Sequence, residues 1–207
     1  MHGIYAITDP VLLAGDKLDR YVEEALQGGI NMLQYRNKSA DHKLRVQEAK
    51  RLQTLCSQYR VPLLINDDIQ LCLEVGAAGV HLGQKDSTLR EARHLLGDAA
   101  IIGITCYSDI NAALQAEAEG ASYVAFGRFF PSRTKPDAAR AAPQVLNAAK
   151  AQLQIPLVAI GGVNAENGAL LIAAGADMLA VIDYLFSTPA VASRAKALSK
   201  LFKTVTD

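Results

Sequence analysis

The sequence predicts an α/β protein, a single-domain (β/α)8 barrel of the TIM type, and three observations carry that expectation. Eight short apolar, β-branched runs recur along the 207 residues, amphipathic stretches separate them, and a glycine repeatedly stands where a helical stretch gives way to the next run. Strands that alternate with helices imply a parallel sheet. Eight units in this length leave about 26 residues each, near the lower bound for a closed barrel. An open doubly wound sheet usually has fewer strands and a glycine-rich turn after the first. Here the first run leads into Thr8-Asp9-Pro10 instead, which favours the barrel.

The runs are 3–7, 32–35, 62–66, 79–82, 101–105, 123–127, 157–160 and 178–182. Most are continuously apolar, as strands covered on both faces are. After the first run, 17–27 sets Leu18, Tyr21, Val22 and Ala25 on one helical face. The stretch 44–59 is longer and gathers its charges on one face. Ser87, and the Ser108-Asp109 pair, have the chemistry to cap helices running to Leu96 and Glu119. Pro189 is placed to open the last helix. Gly28, Gly76, Gly120 and Gly175 each end a helical stretch, where a left-handed backbone turns the chain into the next strand.

Composition excludes several functions. Twenty-one Lys+Arg face 21 Asp+Glu, and half the residues are hydrophobic, so neither disorder nor the basic footprint of a nucleic-acid binder is expected. Cys56, Cys72 and Cys106 are few, odd in number and without a C-x-x-C, a poor disulfide framework that points to a reducing compartment. The start lacks the basic-then-apolar order of a signal peptide. No apolar run nears the roughly 18 residues that span a bilayer. The expectation is a cytoplasmic protein without membrane or nucleic-acid partners, and a homo-oligomer is compatible with it.

In a (β/α)8 barrel, active residues lie at the C-terminal ends of strands, and there this sequence collects its polar groups. The ends carry Thr8-Asp9; Gln34, Arg36 and Lys38; Asn66-Asp67-Asp68; His81, Gln84 and Asp86; Thr105; Arg128 and 132–135; Gly161-Gly162 and Asn164; and Asp183. Strand alternation sends Gln34, Arg36 and Lys38 the same way, and a guanidinium beside an ammonium suits a phosphate or diphosphate. A solvated basic loop is the bland alternative.

Asp67 and Asp86 offer a few hard oxygen ligands, which is how Mg²⁺ is held alongside substrate phosphates. Asp68 is better suited to a helix N-cap than to the metal. Ser132, Arg133, Thr134 and Lys135, with Gly161-Gly162, make a phosphate cradle in loops where barrels commonly place one; a ligand-free Pro-bracketed turn is the alternative. No nucleophile stands out. Cys106 reads as a small buried hydrophobe, His81 as a satisfied core histidine, and His2, His42 and His94 as surface residues. Such a rim suits group transfer with a departing diphosphate better than hydrolysis or hydride transfer.

Tyr5-Ala6-Ile7-Thr8-Asp9, Gln34-Tyr35-Arg36-Asn37-Lys38, Ile65-Asn66-Asp67-Asp68 and Gly79-Val80-His81-Leu82-Gly83-Gln84 form an ordered set. With Gly103-Ile104-Thr105, Phe126-Gly127, Thr134-Lys135 and Ile160-Gly161-Gly162-Val163, the set resembles the thiamin-phosphate synthase family from Tyr5 to Ile182. The resemblance implies a Mg²⁺-dependent transferase with two small phosphorylated substrates. It would join hydroxymethylpyrimidine diphosphate to a thiazole phosphate, with or without a carboxyl group, giving thiamin phosphate and diphosphate. Gln34, Arg36, Lys38, Asn66, Thr105 and Lys135 would hold the pyrimidine diphosphate, with Lys135, Arg36 and Thr105 the groups expected to serve catalysis. Asp67 and Asp86 would ligate Mg²⁺. Ser132, Arg133, Thr134, Gly162 and the backbone at Ile182-Asp183 would hold the thiazole phosphate.

Two positions depart from the family pattern: Thr105 stands where serine is common, keeping the hydroxyl, and Asp183 where serine often meets the thiazole phosphate. A carboxylate there repels phosphate, so only the backbone contribution carries over. The alternatives are a thiazole tautomerase-like relative with the same barrel, and a non-catalytic protein that binds thiamin precursors. The paired Arg36/Lys38 and Asp67/Asp86 units count against the tautomerase, which has no diphosphate to hold.

Overall fold

Eight parallel strands close into a barrel in chain order, each bonded to its sequence neighbours and the last to the first. The computed structural model describes residues 1–83, 88–132 and 139–204. The strands are β1 (Gly3–Ile7), β2 (Met32–Tyr35), β3 (Leu63–Asn66), β4 (Gly79–Leu82), β5 (Ile101–Tyr107), β6 (Tyr123–Gly127), β7 (Leu157–Ile160) and β8 (Met178–Val181). The intervening helices are α1 (Lys17–Gln27), α2 (His42–Tyr59), α3 (Ile69–Val75), α4 (Leu89–Leu96), α5 (Ile110–Ala118), α6 (Gln144–Lys150) and α7 (Gly168–Ala173). The short α8 (Asp183–Phe186) follows β8 and precedes α9 (Val191–Thr204). No described helix is long and apolar enough to cross a membrane.

Period two along the strands divides the apolar residues into two cores. Ile4, Leu33, Leu63, Val80, Ile102, Val124, Leu157 and Leu179 face outward into the layer packed by helices. Tyr5, Met32, Leu64, Tyr123, Val158 and Met178 fill a layer inside the barrel. Two residues further along each strand, Ile7, Gln34, Asn66, His81, Thr105, Ala125, Ile160 and Ala180 form the next level up, and these line a cavity. The unbroken apolar runs in the sequence are therefore two-sided strands, as expected.

The helices follow most of their sequence signals: Gly76, Gly120 and Gly175 take the expected left-handed backbone, whereas Gly28 stays right-handed at φ −76° and Gly29 makes that turn at φ 90°. Leu18, Tyr21, Val22 and Ala25 are the buried face of α1, and Ala49, Leu52 and Cys56 that of α2. Asp68 caps α3 by accepting from Leu71 N at 2.9 Å, and Asp109 caps α5 through Asn111 N and Ala112 N. Two expected starts shift. The cap of α4 is Thr88, which accepts from Glu91 N at 3.2 Å; Ser87 lies outside the described residues. α9 begins at Val191, two residues past Pro189. Strand β5 runs two residues longer than its apolar run because the pairing shifts between Thr105 and Tyr107, a bulge at the barrel mouth.

One glycine makes room for the barrel interior. A Cβ on Gly103 would lie 1.9 Å from Cζ of Tyr123, so the large ring of Tyr123 occupies space that any side chain on β5 would need.

Candidate active site

A cavity of about 610 Å³ opens at the C-terminal mouth of the barrel. It brings together the expected residues Gln34, Arg36, Lys38, Asn66, Asp67, Thr105, Ser132, Gly162, Ile182 and Asp183, which come from six strand ends. Asp86, Arg133, Thr134 and Lys135, also expected here, lie outside the described residues, as does Gln84.

The basic side of the mouth is held from both faces of β2. Thr8, 2% exposed, accepts from Arg36 N at 2.8 Å and donates to Arg36 O at 3.3 Å. On the outer face, Tyr35 Oη and Asn37 Nδ2 both donate to Glu48 Oε2 on α2, at 2.6 and 2.9 Å. The alternating residues Tyr35 and Asn37 are thus tied outward to one carboxylate, which leaves Arg36 and Lys38 turned to the cavity. Asp9 spends its carboxylate on Val11 N and Leu12 N, shaping the turn after β1.

The acidic side follows β3. Asp67 sits in the left-handed region, with φ of 63°, a conformation unfavourable for a residue with a Cβ and often found at functional sites. Its Oδ2 accepts from Asn66 Nδ2 at 2.5 Å and lies 3.3 Å from Lys38 Nζ. Asp68, by contrast, is committed to its cap and to Arg45, 2.8 Å away, as its better-suited role implied.

The donor set fits Mg²⁺ of the kind that completes its coordination with substrate phosphate. A carboxylate faces the cavity beside two cations, and few protein ligands are needed. Among the described residues no cluster of three His, Cys, Asp or Glu suited to a metal occurs.

The far side of the mouth is built by loops. Gly161 and Gly162 have φ of 102° and 66° and fold against 128–131. Phe130 N donates to Gly161 O at 2.9 Å, and a Cβ on Gly162 would meet Pro131 O at 2.3 Å. Glycine is required for that approach. Asn167 Nδ2 holds Gly162 O at 3.0 Å.

Two groups that build the site, Arg194 and Glu48, were not singled out from the sequence. Arg194 reaches in from α9, donating to Tyr184 O and Ser187 Oγ with its guanidinium 4.7 Å over the Tyr184 ring. Glu48 supports the site from outside the barrel. No local pattern marks either one, since each lies in a helix whose charges look like an ordinary solvated face. His81, expected in the core, is half-buried at the cavity and bonded through both ring nitrogens, to Tyr123 Oη at 2.9 Å and Thr105 Oγ1 at 2.8 Å. Cys106 is buried, and burial pushes its thiol up to about 12, which leaves it no thiolate for catalysis near neutrality.

A family model described as thiamine monophosphate synthase matches residues 4–185. The thiamine-phosphate synthase of Nitrosomonas eutropha is 47% identical over 203 residues, covering 97% of this chain and 94% of its own. That of Nitrosococcus oceani is 48% identical over 202 residues, covering 98% and 93%. Among solved structures, the thiamine phosphate pyrophosphorylase from Pyrococcus furiosus superposes with a TM-score of 0.89 at 32% identity, covering 99% of this chain and 97% of that one.

Proposed function

The chain belongs to the thiamine monophosphate synthase family, and on that premise we propose how its own residues carry out the transfer. The enzyme is a transferase of the thiamine-phosphate synthase kind. We assign its substrates as hydroxymethylpyrimidine diphosphate and a thiazole phosphate, its cofactor as Mg²⁺, its location as cytoplasmic, and the whole chain as one catalytic barrel domain. The observation that carries the assignment is the meeting of Arg36, Lys38 and Asp67 on one wall of the cavity, opposite the glycine loop.

In this reading Arg36 and Lys38 bind the diphosphate, together with Lys135. Asn66 and Gln34 orient the pyrimidine ring. Ser132, Arg133, Thr134, Gly162 and the backbone at Ile182-Asp183 hold the thiazole phosphate across the cavity. The bond from the pyrimidine methylene to the diphosphate oxygen breaks with its electron pair on oxygen, and the electron-rich ring stabilises the cation left behind. The thiazole nitrogen then donates its pair to that carbon. No proton needs to move, so the transfer asks for no general base and no covalent intermediate. The protein supplies positioning and charge stabilisation of the leaving group. Mg²⁺, when bound by Asp67 and Asp86, would neutralise further charge on the diphosphate.

Mixing the purified protein with both substrates and Mg²⁺ should yield thiamin phosphate and one equivalent of diphosphate. Release of diphosphate without thiamin phosphate, or no reaction at any Mg²⁺ concentration, would overturn the assignment.

A further inference from the structure

Five side chains form one continuous hydrogen-bonded chain beneath the cavity, joining β2 to β5 through the inside of the barrel. Gln34 Nε2 donates to Tyr5 Oη at 2.5 Å, and the Tyr5 and Tyr123 hydroxyls lie 2.9 Å apart. Tyr123 Oη lies 2.9 Å from His81 Nδ1, and His81 Nε2 lies 2.8 Å from Thr105 Oγ1. Both tyrosines are fully buried, and burial pushes both phenols well above their usual range. Each therefore keeps its proton, and each proton needs an acceptor.

With His81 neutral, counting those protons leaves two arrangements. A neutral imidazole has one N–H and one bare nitrogen, and each hydroxyl has one proton. With Gln34 donating to Tyr5, the Tyr5 proton goes to Tyr123, the Tyr123 proton goes to Nδ1, and Nε2–H donates to Thr105. In the reverse arrangement Thr105 donates to Nε2, every bond inverts, and the Gln34 amide turns its Oε1 toward Tyr5. Any mixture sets two protons against each other or strands a buried hydroxyl proton.

We propose that this chain couples its two ends, so that Gln34 presents its carbonyl oxygen and Thr105 its hydroxyl proton to the cavity, with His81 held as the Nε2–H tautomer. Tyr5, Tyr123 and His81 are then positioning residues for the transfer. The inference rests on the reading of Gln34 and Thr105 as contacts to the pyrimidine diphosphate. An aminopyrimidine offers an amino N–H that a carbonyl accepts, and a diphosphate oxygen accepts a hydroxyl proton. The reverse arrangement would set N–H against N–H at one end and a lone pair against an anion at the other. One buried chain thereby selects a ligand that is a donor at Gln34 and an acceptor at Thr105.

Nitrogen-15 NMR of the substrate-free protein with labelled histidine reads the tautomer directly, the His81 signals being assigned by their loss in His81→Gln. At pH 8 the expected spectrum has Nε2 protonated and Nδ1 bare. A protonated Nδ1, with or without a protonated Nε2, overturns the proposal, and this readout is independent of whether the assigned reaction is right. In steady-state kinetics, Tyr123→Phe should lose the single tautomer and raise KM for the pyrimidine diphosphate about tenfold, the scale of one lost buried hydrogen bond. KM for the thiazole phosphate should stay within about twofold. Tyr5→Phe should raise the same KM while His81 keeps Nε2–H, because its bonds to Tyr123 and Thr105 survive. Unchanged KM values in both variants, or equal rises for both substrates, would overturn the coupling.

Discussion

Replacing Gly103 by alanine tests how the barrel interior is packed. The added Cβ would lie 1.9 Å from Tyr123 Cζ and 2.3 Å from its hydroxyl oxygen, whereas carbon atoms in contact sit about 3.5–4 Å apart. The ring must therefore retreat by roughly 1.5 Å inside a close-packed layer shared with Tyr5 and Val158. Overpacking of this kind costs about 1–3 kcal/mol. Displacing the ring also strains its bonds to Tyr5 and His81, adding about 1 kcal/mol each. The expected loss is about 3–5 kcal/mol, a fall in Tm of roughly 6–20 °C for a chain of this size. Thermal and urea unfolding of Gly103→Ala measure it. In a Tyr123→Ala background the same methyl meets empty space and should cost less than about 1 kcal/mol, so the two changes are strongly non-additive. A Gly103→Ala protein that melts within 2 °C of the parent, or simple additivity with Tyr123→Ala, would refute the packing argument.

Other outcomes follow from the site. Arg36→Ala and Lys38→Ala should each raise KM for the pyrimidine diphosphate by about 10- to 100-fold, a few kcal/mol of charge-assisted hydrogen bonding, with KM for the thiazole phosphate nearly unchanged. Asp67→Ala should abolish the response of the rate to Mg²⁺; a Mg²⁺ titration identical to the parent's would mean that the metal lies elsewhere. Glu48→Ala, which removes no residue lining the cavity, should raise the same diphosphate KM severalfold, because Tyr35 and Asn37 lose their shared acceptor and the Arg36 segment loosens. Stability should fall on the alkaline side. Burial pushes Cys56 and Cys106 up to about 12 and Cys72 up to about 11. Unfolded thiols ionise near 8.5, so above that pH the unfolded state sheds protons that the folded state retains. Each thiol then costs about 1.4 kcal/mol per pH unit until its folded value is reached. Urea midpoints at pH 8 and pH 10 read the slope, and a triple Cys→Ala variant should flatten it.

The strand count, the parallel barrel and the rim were legible because they are local. A run of β-branched residues with a polar end, followed by an amphipathic stretch and a glycine, declares one βα unit whatever surrounds it. Period two then assigned Gln34, Arg36 and Lys38 to one face, and the cavity bears that out. The caps were legible within a residue or two, and the shift from Ser87 to Thr88 reflects two adjacent hydroxyl residues with equal local claims. Local pattern was silent on Arg194 and Glu48, whose places depend on how α9 and α2 lie against the barrel.

By itself, then, the sequence determined the alternating elements, their order, and which residues stand at strand ends, since propensity and periodicity act over a few positions. Tertiary structure decided the partners. Tyr5 meets Tyr123 across 118 positions of chain and His81 meets Thr105 across 24, because closing the barrel sets the stagger of all eight strands at once. The bulge after Thr105, the left-handed turn at Asp67 and the space left by Gly103 take their meaning from that closure. A strand's period says which way a side chain points; only the closed register says what it touches.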